Sequence, residues 1–210
     1  MKLNELSPEA QERAYQDWAR DEPSYDWWDS IYEMKIEEGK ERGFEIQTIN
    51  FSGFCSQGDG ACWQGYILLP EFLDWADKQD PMPIPKHLSN LMRGAAENEL
   101  CENSIKVSSR GNYCHEMTML LDYGFSLDYN AHDVELKAGF FAGMTEEAFD
   151  ALILPHYDEI DKALLEAARD FARDIYKALE DEHEYLTSED HFREMAENNE
   201  WEFNEEGEME

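Results

Sequence analysis

The chain has 210 residues, with 49 Asp and Glu against 17 Lys and Arg, a formal net charge of −32. Hydrophobic residues make up 42% and aromatics 13%, which excludes a disordered acidic chain, since such chains are poor in aromatics. The acidity argues against direct binding to nucleic acid or to an anionic membrane, whose phosphates would repel it. No apolar run approaches the ~20 residues of a membrane span.

The segment Met1–Pro8 lacks the apolar core of a signal peptide, so an intracellular location is expected. Ser7-Pro8-Glu9 reads as an N-cap with proline at the first helical position. A helix to about Arg20 follows, with Ala10, Ala14, Tyr15 and Trp18 on one side, and Pro23 breaks it. A second helix is expected from about Ser24 to Glu38, with Trp28, Ile31 and Tyr32 on one face. The next position in that row is Lys35, so Met34 and Ile36 would have to extend the stripe; Gly39 and Gly43 end the helix.

The period then changes. Phe44–Phe51 and Ala61–Leu69 read as a strand pair, rich in β-branched and aromatic residues, around the loop Ser52–Gly60. Pro70 opens a short helix, and Pro81, Pro83 and Pro85 form an extended connector before a helical stretch at Lys86–Leu100. Ser104–Ser109 and Tyr113–Tyr123 read as a second hairpin around Arg110-Gly111-Asn112. A long helix begins near Thr145, with Pro155 kinking or restarting it. Ile160, Leu164, Ala168, Phe171, Ile175 and Leu179 form its apolar stripe. A short helix at Ser188–Asn198 follows, and Trp201-Glu202-Phe203 alternates like an edge strand returning to the sheet. The fold class expected is α+β: an antiparallel sheet of about four strands packed by helices, with a long C-terminal helix. The expected organisation is an N-terminal helical segment (1–43), an α+β body with the long acidic helix (44–203) and an acidic tail (204–210).

The motifs carry little chemistry. Gly58-Asp59-Gly60 can be read as an anion nest or metal loop, but it joins two strands, carries an acid and lacks the further carboxylates of a calcium loop. Glycines supplying positive φ for a turn are the simpler reading. Cys55, Cys62, Cys101 and Cys114 lack the close pairs of structural zinc, so free thiols, no metal and no cofactor are expected. His115 and Glu116, adjacent on an expected strand, would point to opposite faces. No catalytic constellation is defensible from spacing, and a non-enzymatic protein is expected.

Charge is uneven. Residues 1–140 carry net −14 and residues 141–210 net −18; from Glu180 to Glu210 there are 14 acids and a single base, Arg193. Glu166, Asp170 and Asp174 each have a base three residues on, in Arg169, Arg173 and Lys177, and read as a salt-laced solvated face. Glu180, Asp181, Glu182, Glu184, Glu189, Asp190, Glu194 and Glu197 have almost no local bases. That surplus exceeds what solubility needs, although an acidic halophilic coat would also produce it. Carboxylates four residues apart on a helix lie ~6 Å apart along the axis, close to the spacing of neighbouring phosphates. Such an array can occupy a groove lined with Lys and Arg.

Phe51–Ala61 resembles the FSGF-x-SQGDGA segment of a bacteriophage protein family. Tyr113–Met119 looks like its YxHExTM segment. Ala168–Glu180 and Glu184–Ser188 look like its C-terminal helix and EYLTS turn. The resemblance spans about residues 44–203. It implies a phage origin, a host cytoplasm and a loose antitoxin-like label, names no catalytic residue, and makes the SQGDGA loop a possible functional surface.

The leading expectation is a phage-encoded, DNA-mimic-like inhibitor of a basic nucleic-acid-binding host protein, such as a restriction or CRISPR-type defence factor. The eight acids above, with Asp59, would face that partner. An antitoxin-like protein acting through a shaped, partly apolar interface is the alternative. An enzyme working near Asp59 and His115 is the third reading. Oligomeric state stays open, a homodimer included.

Overall fold

The computed structural model describes residues 1–21, 23, 25–111, 113–127, 135–139 and 141–210. Ser24, where the second helix is expected to begin, and Asn112, at the expected hairpin tip, lie outside them. The elements are α1 (Pro8–Asp21), α2 (Asp29–Glu41), β1 (Phe44–Phe51), β2 (Ala61–Leu68), α3 (Leu69–Ala76), α4 (Lys86–Glu97), β3 (Ser104–Ser109), β4 (Met119–Asp122), α5 (Glu146–Ile153), α6 (Tyr157–Leu186) and α7 (Glu189–Asn198). The strands form one antiparallel sheet in the order β1-β2-β3-β4, an α+β fold with a 30-residue helix late in the chain. No helix among the described residues is long and apolar enough to cross a membrane. Two compact units emerge, one of Met1–Ile31 with Lys177–Glu210, the other Tyr32–Tyr176.

The Tyr32–Tyr176 unit is built on the sheet. Phe44 and Ile46 point inward from β1. The pairing with β2 then shifts between Ile46 and Thr48, and Ile49 is the next buried residue. One extra residue moves the inward phase by one, as a β-bulge does. The facing residue must be Gly65, because a Cβ there would lie 2.0 Å from the Glu45 carbonyl oxygen. Phe44 packs on Trp63, Phe72 and Phe171 with ring centroids 5.2, 5.5 and 5.5 Å away. Trp63 is fully buried and donates from Nε1 to the Ala168 carbonyl at 3.0 Å, satisfying its one polar atom. Every member of the stripe within this unit, from Ile160 to Ile175, is fully buried.

Several expectations need correction. Gly39 lies inside α2 rather than ending it: a Cβ there would meet Ile46 Cδ1 at 2.7 Å, so the helix uses glycine to approach β1. Gly43, at φ +79°, makes the turn into β1. Lys35, not Met34, continues the buried face of α2, and Met34 is exposed. The Lys35 stem is covered while its ammonium pairs with Glu38 at 2.8 Å, the snorkelling behaviour of a long cationic side chain. The fourth strand is only Met119–Asp122, because Glu116–Thr118 forms a 3-10 turn. His115 Nδ1 accepts from the Met117 amide at 3.1 Å and Thr118 Oγ1 donates to the His115 carbonyl at 2.7 Å, so local side-chain bonds turn the backbone out of the ladder. Of the two expectations for Pro155, restart is the one observed: α5 ends at Ile153 and a turn over Leu154–His156 leads into α6.

The other unit joins the two ends of the chain. Ser7 Oγ caps α1 by accepting from the Ala10 amide at 3.2 Å. Leu3, Leu6, Ala10, Ala14, Phe192, Ala196 and Phe203 form its core, rimmed by Tyr15, Trp18 and Trp201. Phe203 therefore does not join the sheet as an edge strand; it is buried in this cluster and, among the described residues, its β-bridge is to Met209. Gly207, at φ +90°, permits the return turn beside the Ala10 carbonyl. The Met1 ammonium donates to the Phe203 carbonyl at 2.8 Å, and Tyr15 Oη donates to the Thr187 carbonyl at 2.9 Å.

Candidate functional site

The eight C-terminal acids all fall in the unit of Met1–Ile31 and Lys177–Glu210, on the last turns of α6 and on α7. Ser188 separates the two helices and caps α7, its Oγ accepting from the His191 amide at 3.1 Å. Phe192 and Ala196 hold α7 to the core. At ~100° per residue, Asp190, Glu194 and Glu197 fall within about 60° of one another, opposite Phe192. All three are exposed.

The structure thins the expected surplus of unpaired acids. Lys177 Nζ pairs with Glu180 at 3.0 Å and Asp181 at 2.8 Å. These bonds, led by the one from Asp181, raise the lysine's pKa. Glu189 accepts from Arg193 Nε at 3.1 Å. Lys177 thus reaches forward rather than back to Asp174, which pairs with Arg42 at 2.9 Å. Arg169 donates to the Met119 carbonyl at 3.1 Å rather than to Glu166. Of the three pairs expected along α6, Asp170–Arg173 forms. Among the described residues Glu182, Glu184, Asp190, Glu194 and Glu197 have no ion pair, and Glu194 accepts from Tyr185 Oη at 3.3 Å. The Glu194 charge foremost, with loss of hydration and the Glu182 charge behind it, raises the Tyr185 pKa.

Asp59 belongs to the Tyr32–Tyr176 unit and is half-buried. Its Oδ2 accepts from the amides of Cys55 at 2.8 Å and Ser56 at 2.6 Å, so this carboxylate braces its own loop. The loop glycines differ from expectation, since Gly53, Gly58 and Gly60 all lack positive φ. Gly60 is instead required for space, because a Cβ there would lie 2.9 Å from the His115 ring. His115 and Glu116, expected to diverge, converge because they leave the strand: His115 Nδ1 lies 2.9 Å from Glu116 Oε2.

Three sequence motifs, far apart in the chain, meet here. Tyr176 Oη donates to the Gly53 carbonyl at 3.1 Å, Phe54 packs on the Tyr176 ring at 5.5 Å, and Arg169 holds the turn beside His115. Tyr113 and Met117 are exposed at 74% and 64% on that turn, giving it an apolar rim. All four cysteines are free. Burial pushes the Cys101 thiol up to about 12, with the Glu102 charge adding to it, so it is a poor nucleophile. One trio of described residues, His87, His156 and Glu159, brings three atoms able to ligate a metal within 4.8 Å of one another; sequence spacing could not join histidines 69 positions apart.

No curated protein and no solved structure matches the chain. A family model matches residues 27–189, which takes in α2 to α6, Glu180 to Glu189, the Asp59 loop and the His87 trio, and stops before Asp190. On that match the chain belongs to the family described as Domain of unknown function (DUF8835).

Proposed function

We propose that this protein is a non-enzymatic acidic inhibitor that occupies the basic groove of a nucleic-acid-binding protein. The single observation that carries the reading is the α7 face of Asp190, Glu194 and Glu197: exposed, free of ion pairs among the described residues, and fixed on a helix by Phe192 and Ala196. Rise per residue separates these carboxylates by ~6 and ~4.5 Å along the axis, comparable to successive phosphates. Glu182 and Glu184 add negative field, whereas Glu180, Asp181 and Glu189 contribute less because Lys177 and Arg193 partly neutralise them. Asp59 is left out of the face, its carboxylate being engaged within its loop. The motif resemblance supports a phage product acting in the host cytoplasm, with a DNA-targeting defence protein as the natural target.

The test is capture of nucleic-acid-binding proteins from bacterial lysate on the immobilised chain, eluted with a salt gradient. Three phosphate-like charges, at a slope of ~0.9 per charge, imply about 40-fold weaker binding between ~50 and ~200 mM salt. Duplex DNA should compete, and Asp190→Lys, Glu194→Lys and Glu197→Lys together should abolish capture while the far-UV spectrum stays unchanged. Binding that survives both salt and the triple reversal, with DNA bound to the target at the same time, would sink the reading. The antitoxin-like alternative would then lead, and one observation favours it: exposed Tyr113 and Met117 stand on the turn where the three motifs meet. Met117→Asp would weaken that interface and leave the mimic untouched.

A further inference from the structure

Two histidines and a glutamate from three elements of the Tyr32–Tyr176 unit converge on the surface. His87 lies in the first turn of α4, just after Pro85; His156 follows Pro155 and closes the turn over Leu154–His156; Glu159 stands in the first turn of α6. One ligand atom from each lies within 4.8 Å of the other two. Glu159 Oε2 is 3.0 Å from His156 Nδ1 and 3.9 Å from His87 Nε2, and the two imidazole rings stand 5.6 Å apart at 70°. A tetrahedral ion with bonds of ~2.0–2.1 Å holds its ligand atoms ~3.3 Å apart, so rotamer-scale movement closes the set. We propose that His87, His156 and Glu159 bind a divalent transition-metal ion of the zinc class.

The donor set decides the class of ion. Two imidazoles and one carboxylate suit zinc, nickel or copper, whereas calcium and magnesium seek oxygen ligands. A hydrogen bond accounts for the His156–Glu159 contact alone. His87 is drawn to the same carboxylate oxygen by its own charge when protonated, and a shared cation holds both imidazoles there when they are neutral. His87 and Glu159 are both 60% exposed, which gives an ion a path in and leaves room for water at a fourth position. The backbone is prepared on two sides, since Pro85 and Pro155 restrict the chain entering each histidine.

The full chain, freed of metal, is titrated with zinc chloride alone by calorimetry at ~0.15 M salt, where diffuse attraction to the acidic surface is screened. One saturable site per chain is expected. His87→Ala and His156→Ala should each weaken it by ~100-fold or more, at least the effect of removing an outer-shell partner, and Glu159→Gln should weaken it too. Cobalt(II) should give the visible absorption of a low-symmetry site on the wild-type chain, a readout that needs no variant to fold. Excess magnesium should leave the zinc isotherm unchanged. The proposal is overturned if the wild type shows no saturable zinc site, if both histidine variants bind as the wild type does, or if magnesium displaces the ion.

Discussion

The two units of this protein hold themselves together differently. The Tyr32–Tyr176 unit carries 27 acidic and 12 basic side chains over 145 residues, a net −15. The unit of Met1–Ile31 and Lys177–Glu210 carries 22 against 5 over 65 residues, a net −17. Its charge density is more than twice as high, so self-repulsion opposes its compactness more strongly. The larger unit has a sheet, a fully buried Trp63 and an aromatic stack around Phe44. The smaller has α1, α7 and the last turns of α6, with a core of Phe192, Phe203 and a rim of half-buried aromatics. Aromatic mass is what lets a small acidic unit stay folded. It also explains why tryptophan and glutamate are abundant in the same stretches of chain.

The sharpest way to probe that contrast is to remove one ring from each core. Phe171→Ala, in the larger core, should cost about 3–5 kcal/mol in a thermal or denaturant melt; an unchanged melt would show that the α6 stripe is not core. Phe192→Ala should cost about 3 kcal/mol, the lower end of that range, because half-buried Tyr15, Trp18 and Trp201 can close over the gap. Its signature is regional: amide exchange should speed up in α1 and α7 while β1 to β4 keep their protection. Equal loss in the strands would break the distinction between the units.

A smaller effect belongs to the cap that starts the acidic face. Ser188→Ala should cost about 1 kcal/mol, and Ser188→Asp should recover most of it, by melt comparison. Loss without recovery would point to a role other than capping. In the larger unit, burial alone would raise the Glu38 pKa, but Lys35 and Arg42 bind its carboxylate and hold it below 4.5. A depressed folded pKa gives stability that is present above the unfolded value and lost as pH falls through the folded one. The melting-point difference between wild type and Glu38→Gln should therefore shrink from about pH 6 to about pH 3; a constant difference would refute the assignment. The smallest signal is spectroscopic. Tyr185 should ionise above the usual phenol range of ~10, and Glu194→Gln should bring it down, measured by carbon-13 NMR of labelled tyrosine. No movement would mean that the α7 field does not reach the phenol.

Much of the architecture was legible because period and caps are local properties. Ser7-Pro8, Thr145 and Ser188 each start a helix where the sequence places them, and β1 and β3 keep their expected bounds. Failures came where a distant neighbour decided. Gly39 reads as a stop until Ile46 is seen pressing on it, and Phe203 reads as a strand until Leu3 and Phe192 surround it. Lys35 breaks an apolar stripe on paper, yet Glu38 and the Phe171 ring, 6.0 Å from its ammonium, make its burial acceptable. The candidate acidic face was visible as a run of like charges, but which members are neutralised depended on lysine and arginine rotamers. In the His87–His156–Glu159 trio, His156 and Glu159 stand three residues apart, but spacing gives no sign of His87, which the fold alone brings to the start of α6.

The bulge in β1 has an unequal effect on chain-length changes. The strand is effectively two half-strands with opposite reading frames, Phe44–Ile46 and Thr48–Phe51, joined at Gln47. Deleting Gln47 would remove the extra residue and leave the pairing continuous, with Thr48 still opposite Gln64 and Ile49 still inward opposite Trp63, whereas losing Glu45 would turn Phe44 to the other face. Gly58, by contrast, stands in open space at the loop tip, with no neighbour for an added Cβ. Length variation among relatives should therefore collect at the tip and at Gln47, two sites only eleven residues apart, and avoid the paired residues of β1.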